Sequence, residues 1–536
     1  MRNEQRAHCT ANVLVRTANN YDENSMMKHF DFRGLFIYDL ANNHQGDVEH
    51  ALKIIQAMGQ VTKETGVRAA FKFQFRQLET FIHPDYQQRQ DVPHIPRFMS
   101  TALTKAQYKV LVNAVKEAGM ITLCTPFDEE SVDTILELGI EAIKVASCSA
   151  TDFPLLERIA EVNRPIIVST AGLSMQKVDR LVSFFEAKDA HFALMHCVAL
   201  YPTPPSKLQL NQIAAFRDRF PHIPIGFSTH ETPDNYVPIR LAFAKGAELF
   251  ERHVGLKTEQ YSLNAYSATP AQITQWISAY QDAVEMCGGE HRSPAGKDEI
   301  QSLRSLMRGV YAKAALQPGA SLTRENVFFA MPLQEGQLTS GEWKEGLTAD
   351  RAYVANEAIS ESLAATTISV DELIYHIMLE VRGMLNQARI FIGEESSIEL
   401  SHHYGLERFR EFGAVIINCI NRDYCKKLII QLPRQKHPYH YHQKKEETFQ
   451  LLYGDLEVEK NGRKLSLHPG DTVLVEPEEW HKFHTLHGAI FEEMSTTHYN
   501  NDSYYEDEHI ARLPRDMRKT YLENWNAIIR RAEIVD

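Results

Sequence analysis

Between Gly34 and Gly289 the sequence alternates short apolar runs with longer amphipathic stretches, and this alternation limits the fold more than any other feature. Short, continuous apolar runs are typical of strands that are buried on both faces of a parallel sheet. The eight runs are Leu35–Leu40, Ala69–Phe75, Ile121–Thr125, Ala142–Ser147, Pro165–Ser169, Phe192–Cys197, Ile223–Ser228 and Glu248–His253. Between them, stretches such as Val48–Glu64 and Lys105–Ala118 have helical periodicity. Eight strand–helix units in about 250 residues predict a (β/α)8 TIM barrel of the α/β class, with a doubly wound open sheet as the alternative.

Polar side chains stand at the ends of these runs. Because a barrel enzyme carries its catalytic groups at the carboxyl ends of its strands, we expect them to share one face. They are Lys72, Thr125, Lys144, Ser147, Ser169, Ser228, His230 and His253. Two lysines and several hydroxyls suit a small phosphorylated or carboxylated substrate. The two histidines are candidate metal ligands, although histidines so spaced are also common as hydrogen-bonded strand ends.

A series of short motifs runs through the same region. They are Ala41–Asp47, Phe71–Gln74, Cys124–Phe127, Ile143–Ser147, Ile167–Thr170, His196–Cys197, Tyr201–Pro204, Gly226–His230 and Glu251–His253. These motifs occur in the order, and near the spacing, found in the sialic acid synthase family, the phosphoenolpyruvate-dependent nonulosonate synthases. Residues 35 to about 355 therefore resemble this family. Within this region, Arg308–Pro332 resembles the family's small antifreeze-protein-like module. The resemblance implies an enzyme that joins phosphoenolpyruvate to the open-chain aldehyde of a sugar.

The resemblance also implies roles for residues at the matching motif positions. The implied phosphoenolpyruvate contacts are Lys72, Thr125, Lys144, Ser147, Ser169 and Ser228. The implied ligands of a divalent metal, usually manganese, are His230 and His253. The implied catalytic residues are Asp39, Lys72, Lys144 and Tyr201. We expect Asp39 to orient or activate the attacking water.

The positions that would contact the sugar depart from the family pattern. Asp39 stands where the family usually has Glu, Ser149 replaces a sugar-binding Glu, and Ala199 replaces an Asn. Asn264 replaces an acidic residue, and the sugar-binding Arg of the module falls at about Met331. Each unpaired polar group of an N-acetylmannosamine would cost about 1–3 kcal/mol. The sequence therefore argues against N-acetylmannosamine as the acceptor.

A second pattern of metal-ligand type lies near the C-terminus. It consists of His440, His442 and Glu447, followed by His481 after a Pro-Gly turn. Because alternate residues of a strand face the same side, the first two histidines can bind one metal together. The pattern resembles the metal-binding cupin family over residues 413–499, which implies an all-β double-stranded β-helix. A mixed set of nitrogen and oxygen donors suits Mn, Fe, Ni or Zn, and a solvated histidine-rich edge is the alternative.

Within the cupins, Phe491–Tyr499 and Asp502–Tyr505 resemble D-lyxose isomerase-like sugar isomerases. In such an enzyme a carboxylate such as Glu492 or Glu493 would move the proton. The alternative is a sugar-binding or regulatory cupin without turnover. We interpret His437, His484 and His487 as neighbours of the site.

These patterns divide the chain into six predicted segments. They are an N-terminal extension (1–33), the barrel (34–290), an antifreeze-protein-like α+β module (291–356), a helical linker (357–411), the cupin (412–499) and a charged, partly helical tail (500–536).

The composition limits the classes of molecule that the chain is expected to bind and the compartment it suits. The net charge is −13, from 70 acidic and 57 basic residues, and no basic cluster indicates a nucleic-acid binder. We expect no membrane span and no signal peptide, because no sufficiently long apolar run occurs. Seven cysteines without a CxxC pair suit a reducing cytoplasm.

Three hypotheses follow. The first is a cytoplasmic, two-headed enzyme of cell-surface polysaccharide biosynthesis. In it, the barrel makes a 3-deoxy-2-keto sugar acid, and the cupin binds a metal and a sugar. The second is a barrel synthase that uses a different aldehyde. The third is a sugar-binding or regulatory protein whose barrel is not catalytic. The family's module reaches across a dimer, so the resemblance implies a homodimer.

Overall fold

A computed structural model describes residues 30–289, 292–364, 369–393, 396–499 and 501–522. The predicted N-terminal extension and the end of the tail therefore lie almost entirely outside the described residues. The chain divides into two compact units, Met1–Ser293 and Pro294–Asp536. Among the described helices, none is long and apolar enough to cross a membrane.

The first unit contains a closed barrel of eight parallel strands in sequence order. The strands are β1 (Leu35–Asp39), β2 (Arg68–Phe75), β3 (Ile121–Pro126), β4 (Ala142–Val145), β5 (Ile166–Ser169), β6 (Phe192–Cys197), β7 (Ile225–Thr229) and β8 (Leu249–His253). Each begins and ends within two residues of a predicted apolar run. The TIM barrel is thus confirmed, and the open sheet is wrong because β1 pairs with both β2 and β8.

Helices follow the strands around the barrel. They are α1 (Val48–Thr65), α2 (Leu78–Phe81), α3 (Ile95–Ser100), α4 (Lys105–Glu117), α5 (Glu129–Glu137), α6 (Phe153–Glu161), α7 (Met175–Ala187), α8 (Asn211–Arg219), α9 (Val237–Ala244) and α10 (Pro270–Cys287). Single-turn 3-10 helices cover Pro84–Tyr86, Ser147–Ser149 and Pro205–Lys207. The predicted helices begin at cap residues: Asp47 accepts hydrogen bonds from two backbone amides of α1, and Thr104 forms a capping box on α4. Their apolar stripes pack on the strands and enclose the main core.

The second unit begins with α11 (Lys297–Arg304) and a two-stranded sheet, β9 (Gly309–Ala312) and β10 (Val327–Ala330). A small apolar core that includes Val310, Leu322 and Tyr353 lies around this sheet. A 3-10 turn (Glu361–Leu363) and the long helix α12 (Val370–Gln387) follow. Ser369 caps α12, and the helix packs its buried face on the larger of two further sheets.

The two further sheets have seven and five strands, as expected for a cupin. Their strands are β11 (Ser397–Ser401), β12 (Ala414–Asn421), β13 (Tyr424–Gln431), β14 (His440–His442), β15 (Glu447–Gly454), β16 (Leu456–Lys460), β17 (Arg463–Leu467), β18 (Thr472–Val475), β19 (His481–His484), β20 (Ala489–Thr496), β21 (Ser503–Tyr505) and β22 (Lys519–Leu522). The remaining elements are α13 (Glu508–Arg512) and 3-10 turns at Leu406–Arg408 and Arg515–Met517.

The sheets reach beyond the predicted cupin boundaries. β11 comes from the predicted linker, and β21 and β22 come from the predicted tail. The strand-like run Phe449–Glu457 is divided between β15 and β16, because the chain turns at Gly454 with φ of 87°. A Cβ at Gly454 would lie 1.9 Å from the carbonyl oxygen of Gly488, so only glycine fits there.

Candidate functional site

Strand register brings three of the predicted site residues together at the carboxyl end of the barrel. Asp39 ends β1 opposite Lys72 on β2 and His253 on β8. Its Oδ2 lies 3.0 Å from Lys72 Nζ and 3.3 Å from His253 Nε2, and its Oδ1 accepts a hydrogen bond from the Ala41 backbone amide. All three side chains are largely buried. Asp39 therefore lies between the predicted substrate lysine and a predicted metal ligand.

Glu251 is the centre of this cluster, although no sequence motif predicted a role for it. Its Oε1 lies 3.1 Å from Lys72 Nζ and 3.5 Å from Lys144 Nζ, and it accepts a 2.9 Å hydrogen bond from Ser228. Its Oε2 is buried and has no hydrogen-bond partner among the residues that the structure describes. The position of this glutamate within the apolar run of β8 could have indicated its role, because a buried carboxylate needs partners.

The remaining hydroxyl residues line the same end of the barrel. Lys144 Nζ donates a 2.5 Å hydrogen bond to Ser169 Oγ, and Ser147 Oγ accepts one from the Ala171 backbone amide. The hydroxyl of Thr125 is buried and has no partner among the described residues. Each of these three hydroxyl groups keeps a hydrogen that it can donate to an oxyanion.

Burial and pairing set the charges of the cluster. Burial opposes the charged form of Lys72, but Asp39 and Glu251 outweigh it and raise the pKa of that lysine above its usual range. Burial lowers the pKa of Lys144, and Glu251 offsets only part of this effect. Burial would raise the pKa of Glu251, but Lys144 and Lys72 together lower it. A carboxylate thus holds two buried ammonium groups side by side.

The predicted metal pair lies beside this cluster. The rings of His230 and His253 are 5.3 Å apart between centroids, and His230 Nδ1 donates to the Val198 carbonyl at 3.0 Å. Burial, and then the neighbouring His253, lowers the pKa of His230 to about 3. Burial also lowers the pKa of His253, whose buried Nδ1 has no hydrogen-bond partner in the described ranges. Both rings are therefore neutral at pH 7, which is the form that binds metals.

Aromatic rings form one wall of the mouth. Tyr201 is 54% exposed, and its ring centroid lies 4.2 Å from that of His230. Tyr266 packs 5.2 Å from both Tyr201 and His253 and was not predicted. The structure thus places Tyr201 at the rim, next to the histidine pair.

Residues at the predicted sugar positions make few contacts that could replace the family's groups. Ser149 is a short, buried side chain in the turn after β4. Asn264 uses its Oδ1 to accept the Tyr266 and Ser267 backbone amides, so it holds a loop. Ala199 and Met331 are exposed.

The second cluster lies inside the cupin sheets. His440 pairs with His481 across β14 and β19, and His442 lies two residues along β14 on the same side. Nitrogen atoms of these three buried rings lie within 4.8 Å of one another. Glu447 Oε1 is 3.4 Å from His442 Nε2, and Glu447 Oε2 is 3.2 Å from His481 Nε2.

Backbone carbonyls fix the orientation of the three rings. Nδ1 faces the carbonyl of Pro438 in His440 (3.1 Å), of Asp502 in His442 (2.6 Å) and of Glu479 in His481 (3.1 Å). A carbonyl oxygen only accepts, so Nδ1 carries the hydrogen and a neutral ring presents a lone pair on Nε2. Within the described part of the chain, His481 Nε2 and Glu447 Oε2 are both buried without a hydrogen-bond partner. Opposed lone pairs at this distance fit a bound cation.

A chain of buried charges continues from these residues. Lys445 pairs with Glu447 and lies 2.9 Å from Glu493, and Lys427 lies 3.1 Å from the same carboxylate. Burial would raise the pKa of Glu493, but the two lysines lower it, so it is ionised. Glu492 is directed to the other face, 2.8 Å from Lys426. A cavity in the cupin domain is lined by His440, His442 and Lys445, and of the two carboxylates that the sequence left open, only Glu493 lines it.

The other histidines are held by protein groups. His437 lies 3.2 Å from His403 between the ring nitrogens and packs on His440. His484 and His487 lie beside Glu457 and Asp455, respectively.

Known proteins resemble both regions. A model of the NeuB family matches residues 58–292, and a cupin domain model matches residues 428–491. N-acetylneuraminate-9-phosphate synthase of Mus musculus is 28% identical over 297 residues, which are 54% of this chain and 80% of the relative. N,N'-diacetyllegionaminic acid synthase of Campylobacter jejuni is 25% identical over 338 residues, which are 61% of this chain and 99% of the relative.

A solved structure is more similar still. It is that of spore coat polysaccharide biosynthesis protein E from Chromobacterium violaceum, which is 44% identical with a TM-score of 0.59. The match covers 62% of this chain and 99% of that protein. This similarity, together with the matched synthases, shows that the chain belongs to the NeuB family and carries a cupin domain in addition.

Proposed function

We propose that the barrel condenses phosphoenolpyruvate with the open-chain aldehyde of a sugar, giving a 3-deoxy-2-keto sugar acid and phosphate. C3 of phosphoenolpyruvate attacks the aldehyde carbon and forms the new C–C bond, and the aldehyde oxygen takes a proton. Water adds to the cation that develops at C2 and loses a proton. The tetrahedral adduct then expels phosphate, so that atoms and charge balance without a redox partner.

The observation that carries the proposal is the buried pair Lys72 and Lys144, held by Glu251 at one end of the barrel. A buried ammonium pair is costly unless anions compensate for it, and a substrate phosphate and carboxylate would do so. Thr125, Ser147, Ser169 and Ser228 supply hydroxyl groups around the same point. The donors are fixed before the substrate arrives, which is how charge that develops in a transition state is best stabilised.

His230 and His253 are the proposed ligands of a divalent metal in the barrel, with manganese as the expected ion. The two neutral rings and the partnerless Nδ1 of His253 fit such an ion. When bound, the metal would supply a Lewis acid for the aldehyde oxygen. Asp39 lies beside His253 and Lys72, in position to orient the water and hold its proton. Tyr201 would close the site from the rim.

The proposed acceptor is an aldose other than N-acetylmannosamine. Ser149, Ala199 and Asn264 do not supply the carboxylate and amide groups of the family at these positions, and Asn264 already binds its own loop. Without such partners, the amide group of an N-acetyl sugar would be buried unpaired. A sugar without this group avoids that cost.

The cupin domain is proposed to bind a metal and a sugar. Its ligands would be His440, His442, Glu447 and His481, and the donor set suits Mn, Fe, Ni or Zn. Residues 291–356 remain proposed as the antifreeze-protein-like module, and the proposed assembly is a homodimer in the cytoplasm.

The test is to incubate the full chain with phosphoenolpyruvate, Mn²⁺ and a panel of free aldoses, and to measure phosphate release and product mass. We expect sugar-dependent release and a product heavier than the aldose by the pyruvate unit. Lys144→Ala should abolish release, whereas Lys188→Ala, on the exposed surface, should not. No release with any aldose, or full activity of the Lys144→Ala variant, would overturn the proposal.

A further inference from the structure

One arginine of the barrel has no carboxylate partner. Arg76 follows the last residue of β2, and among the described residues no carboxylate lies within ion-pair distance of its guanidinium. Its Nη2 donates a 3.1 Å hydrogen bond to the side-chain oxygen of Gln74. Its Nε is buried and has no hydrogen-bond partner in the described part of the chain. Because a guanidinium has five N–H donors, most of them remain available to a ligand.

Two aromatic rings fix the plane of this guanidinium. Its Cζ lies 3.6 Å from the ring centroid of Phe127, which follows β3, and 4.1 Å from that of Phe98 in α3. Contacts of this kind hold the faces of the cation and leave its edge free. The edge of a guanidinium carries parallel N–H groups that match the two oxygens of a carboxylate or a phosphate. The donors of Arg76 are therefore oriented before a ligand arrives.

The charge of Arg76 is not compensated by its surroundings. Burial opposes the charged form and lowers the pKa of Arg76 to about 10. Tyr108, Cys148 and Asp39 act in the opposite direction but do not outweigh burial. Asp39 is the carboxylate among them, and it already pairs with Lys72. Arg76 is charged at pH 7, and a negative group of a ligand would complete its charge without breaking an ion pair.

The position of Arg76 relates it to the far end of the acceptor sugar. Lys72, Gln74 and Arg76 are alternate residues and face the same side, whereas Phe73 and Phe75 pack in the main core. Four residues at about 3.3 Å each place Arg76 about 13 Å beyond Lys72, toward the mouth of the barrel. An open-chain sugar whose aldehyde meets phosphoenolpyruvate near Lys72 extends toward this mouth. Its other end then comes to the level of Arg76.

We infer that the barrel takes an aldose with a carboxylate or phosphate at the end remote from its aldehyde, and that Arg76 binds this anion. This inference rests on the proposed function of the barrel and adds the charge of its acceptor. Arg76 selects the substrate and takes no part in the making of bonds. A sugar with a neutral end leaves the guanidinium without its charged partner, so it binds more weakly.

Three variants separate the charge of Arg76 from its packing. Arg76→Met keeps an unbranched side chain between the two rings but removes the charge and every donor. Arg76→Lys restores a positive charge without the planar fork. Arg89→Met is the control, because Arg89 lies in the same connection between β2 and α4 and pairs with Asp91 at the surface. Thermal unfolding of each variant shows whether it keeps the fold.

The experiment compares acceptors that differ only at C6. The sets are mannose with mannose 6-phosphate and mannuronate, and glucose with glucose 6-phosphate and glucuronate. Consumption of phosphoenolpyruvate, product mass and the KM of both substrates are measured with Mn²⁺ present. We expect an anionic sugar to exceed its neutral parent in kcat/KM by at least about 10-fold. Whether the phosphate or the carboxylate gives this preference identifies the anion.

The variants should divide in a defined way. Arg76→Met should abolish the preference for the anionic sugar, while the KM for phosphoenolpyruvate and kcat/KM for the neutral sugar stay within about twofold of wild type. Arg76→Lys should restore part of the preference, and Arg89→Met should behave as wild type. A merely structural arginine would instead change the reactions of neutral and anionic sugars alike.

Two results overturn the inference alone: a neutral sugar used as well as its anionic partners by wild type, or an anionic preference that is unchanged in Arg76→Met. The wild-type comparison needs no variant, so it decides the inference even if Arg76→Met does not fold. A different result, no product with any sugar of either set, overturns the proposed function of the barrel.

Discussion

Replacing Glu251 with Gln tests whether one carboxylate holds the barrel site together. In the wild type, Oε1 lies near the ammonium groups of Lys72 and Lys144 and accepts the Ser228 hydroxyl. The substituted glutamine would keep the shape and one acceptor but remove the charge. Asp39 would remain as the carboxylate nearest the two ammonium groups, and of the two lysines it contacts Lys72 alone. Lys144 would lose the carboxylate that offsets its burial.

The expected cost follows from the burial of all these groups. Removing one partner of a buried ion pair costs about 3–5 kcal/mol, because the remaining charge is left uncompensated. For a domain of this size, 1 kcal/mol corresponds to a shift of about 2–4 °C in the unfolding temperature, so we expect a decrease of about 6–20 °C. The same loss should weaken binding of phosphoenolpyruvate, since Lys144 becomes easier to deprotonate.

Differential scanning calorimetry of the full chain measures this effect. Glu186→Gln is the control, because Glu186 lies on the exposed face of α7 in the same barrel. The control should unfold at the wild-type temperature. A change of 1 kcal/mol in unfolding free energy shifts the unfolding temperature by about 2–4 °C. If Glu251→Gln unfolds within about 2 °C of the control, the two lysines do not depend on Glu251 and the reasoning is wrong.

Two further predictions concern the histidines. His442→Ala should remove the metal from the cupin site, measured as metal content per chain. His468→Ala, at an exposed turn, is the control and should keep the metal. Equal metal content in both variants would contradict the proposed ligand set. In the metal-free chain, His230 has a pKa of about 3 in the folded state, against about 6.5 when unfolded. The neutral His230 ring therefore contributes fully to the free energy of unfolding above pH 6.5. This contribution is lost as the pH falls toward 3, by at most about 1.4 kcal/mol per pH unit. His230→Gln should flatten this part of the profile of unfolding free energy against pH, and an unchanged slope would refute the low pKa.

The barrel could be predicted because a local sequence pattern marks each of its strands. Each strand is a continuous apolar run between amphipathic helices, and parallel strands in sequence order leave their last residues at one rim. Lys72, Lys144 and His253 therefore had to lie near one another once the barrel was assumed. The structure adds the register, which sets Asp39 opposite both Lys72 and His253.

The edges of the cupin could not be predicted in the same way. β21 has three residues and β22 has four, too few for an alternating pattern to stand out. They join the sheets through distant partners: β22 pairs with β11, more than a hundred residues earlier. Such pairing depends on which strand leaves an edge open, and the local sequence does not contain this information.

The choice between Glu492 and Glu493 shows what register adds to a motif. Side chains alternate along a strand, so one of two consecutive glutamates of β20 must face the cavity, but the motif alone does not say which. Phe491 packs in the interior against Phe483, which sends Glu493 to the same side and Glu492 outward. Lys427 stands directly opposite Glu493 on β13, and Lys426 stands beside Glu492 on the outer face. The same alternation therefore gives the two carboxylates separate lysine partners: Lys427 and Lys445 lie on Glu493, and Lys426 lies on Glu492.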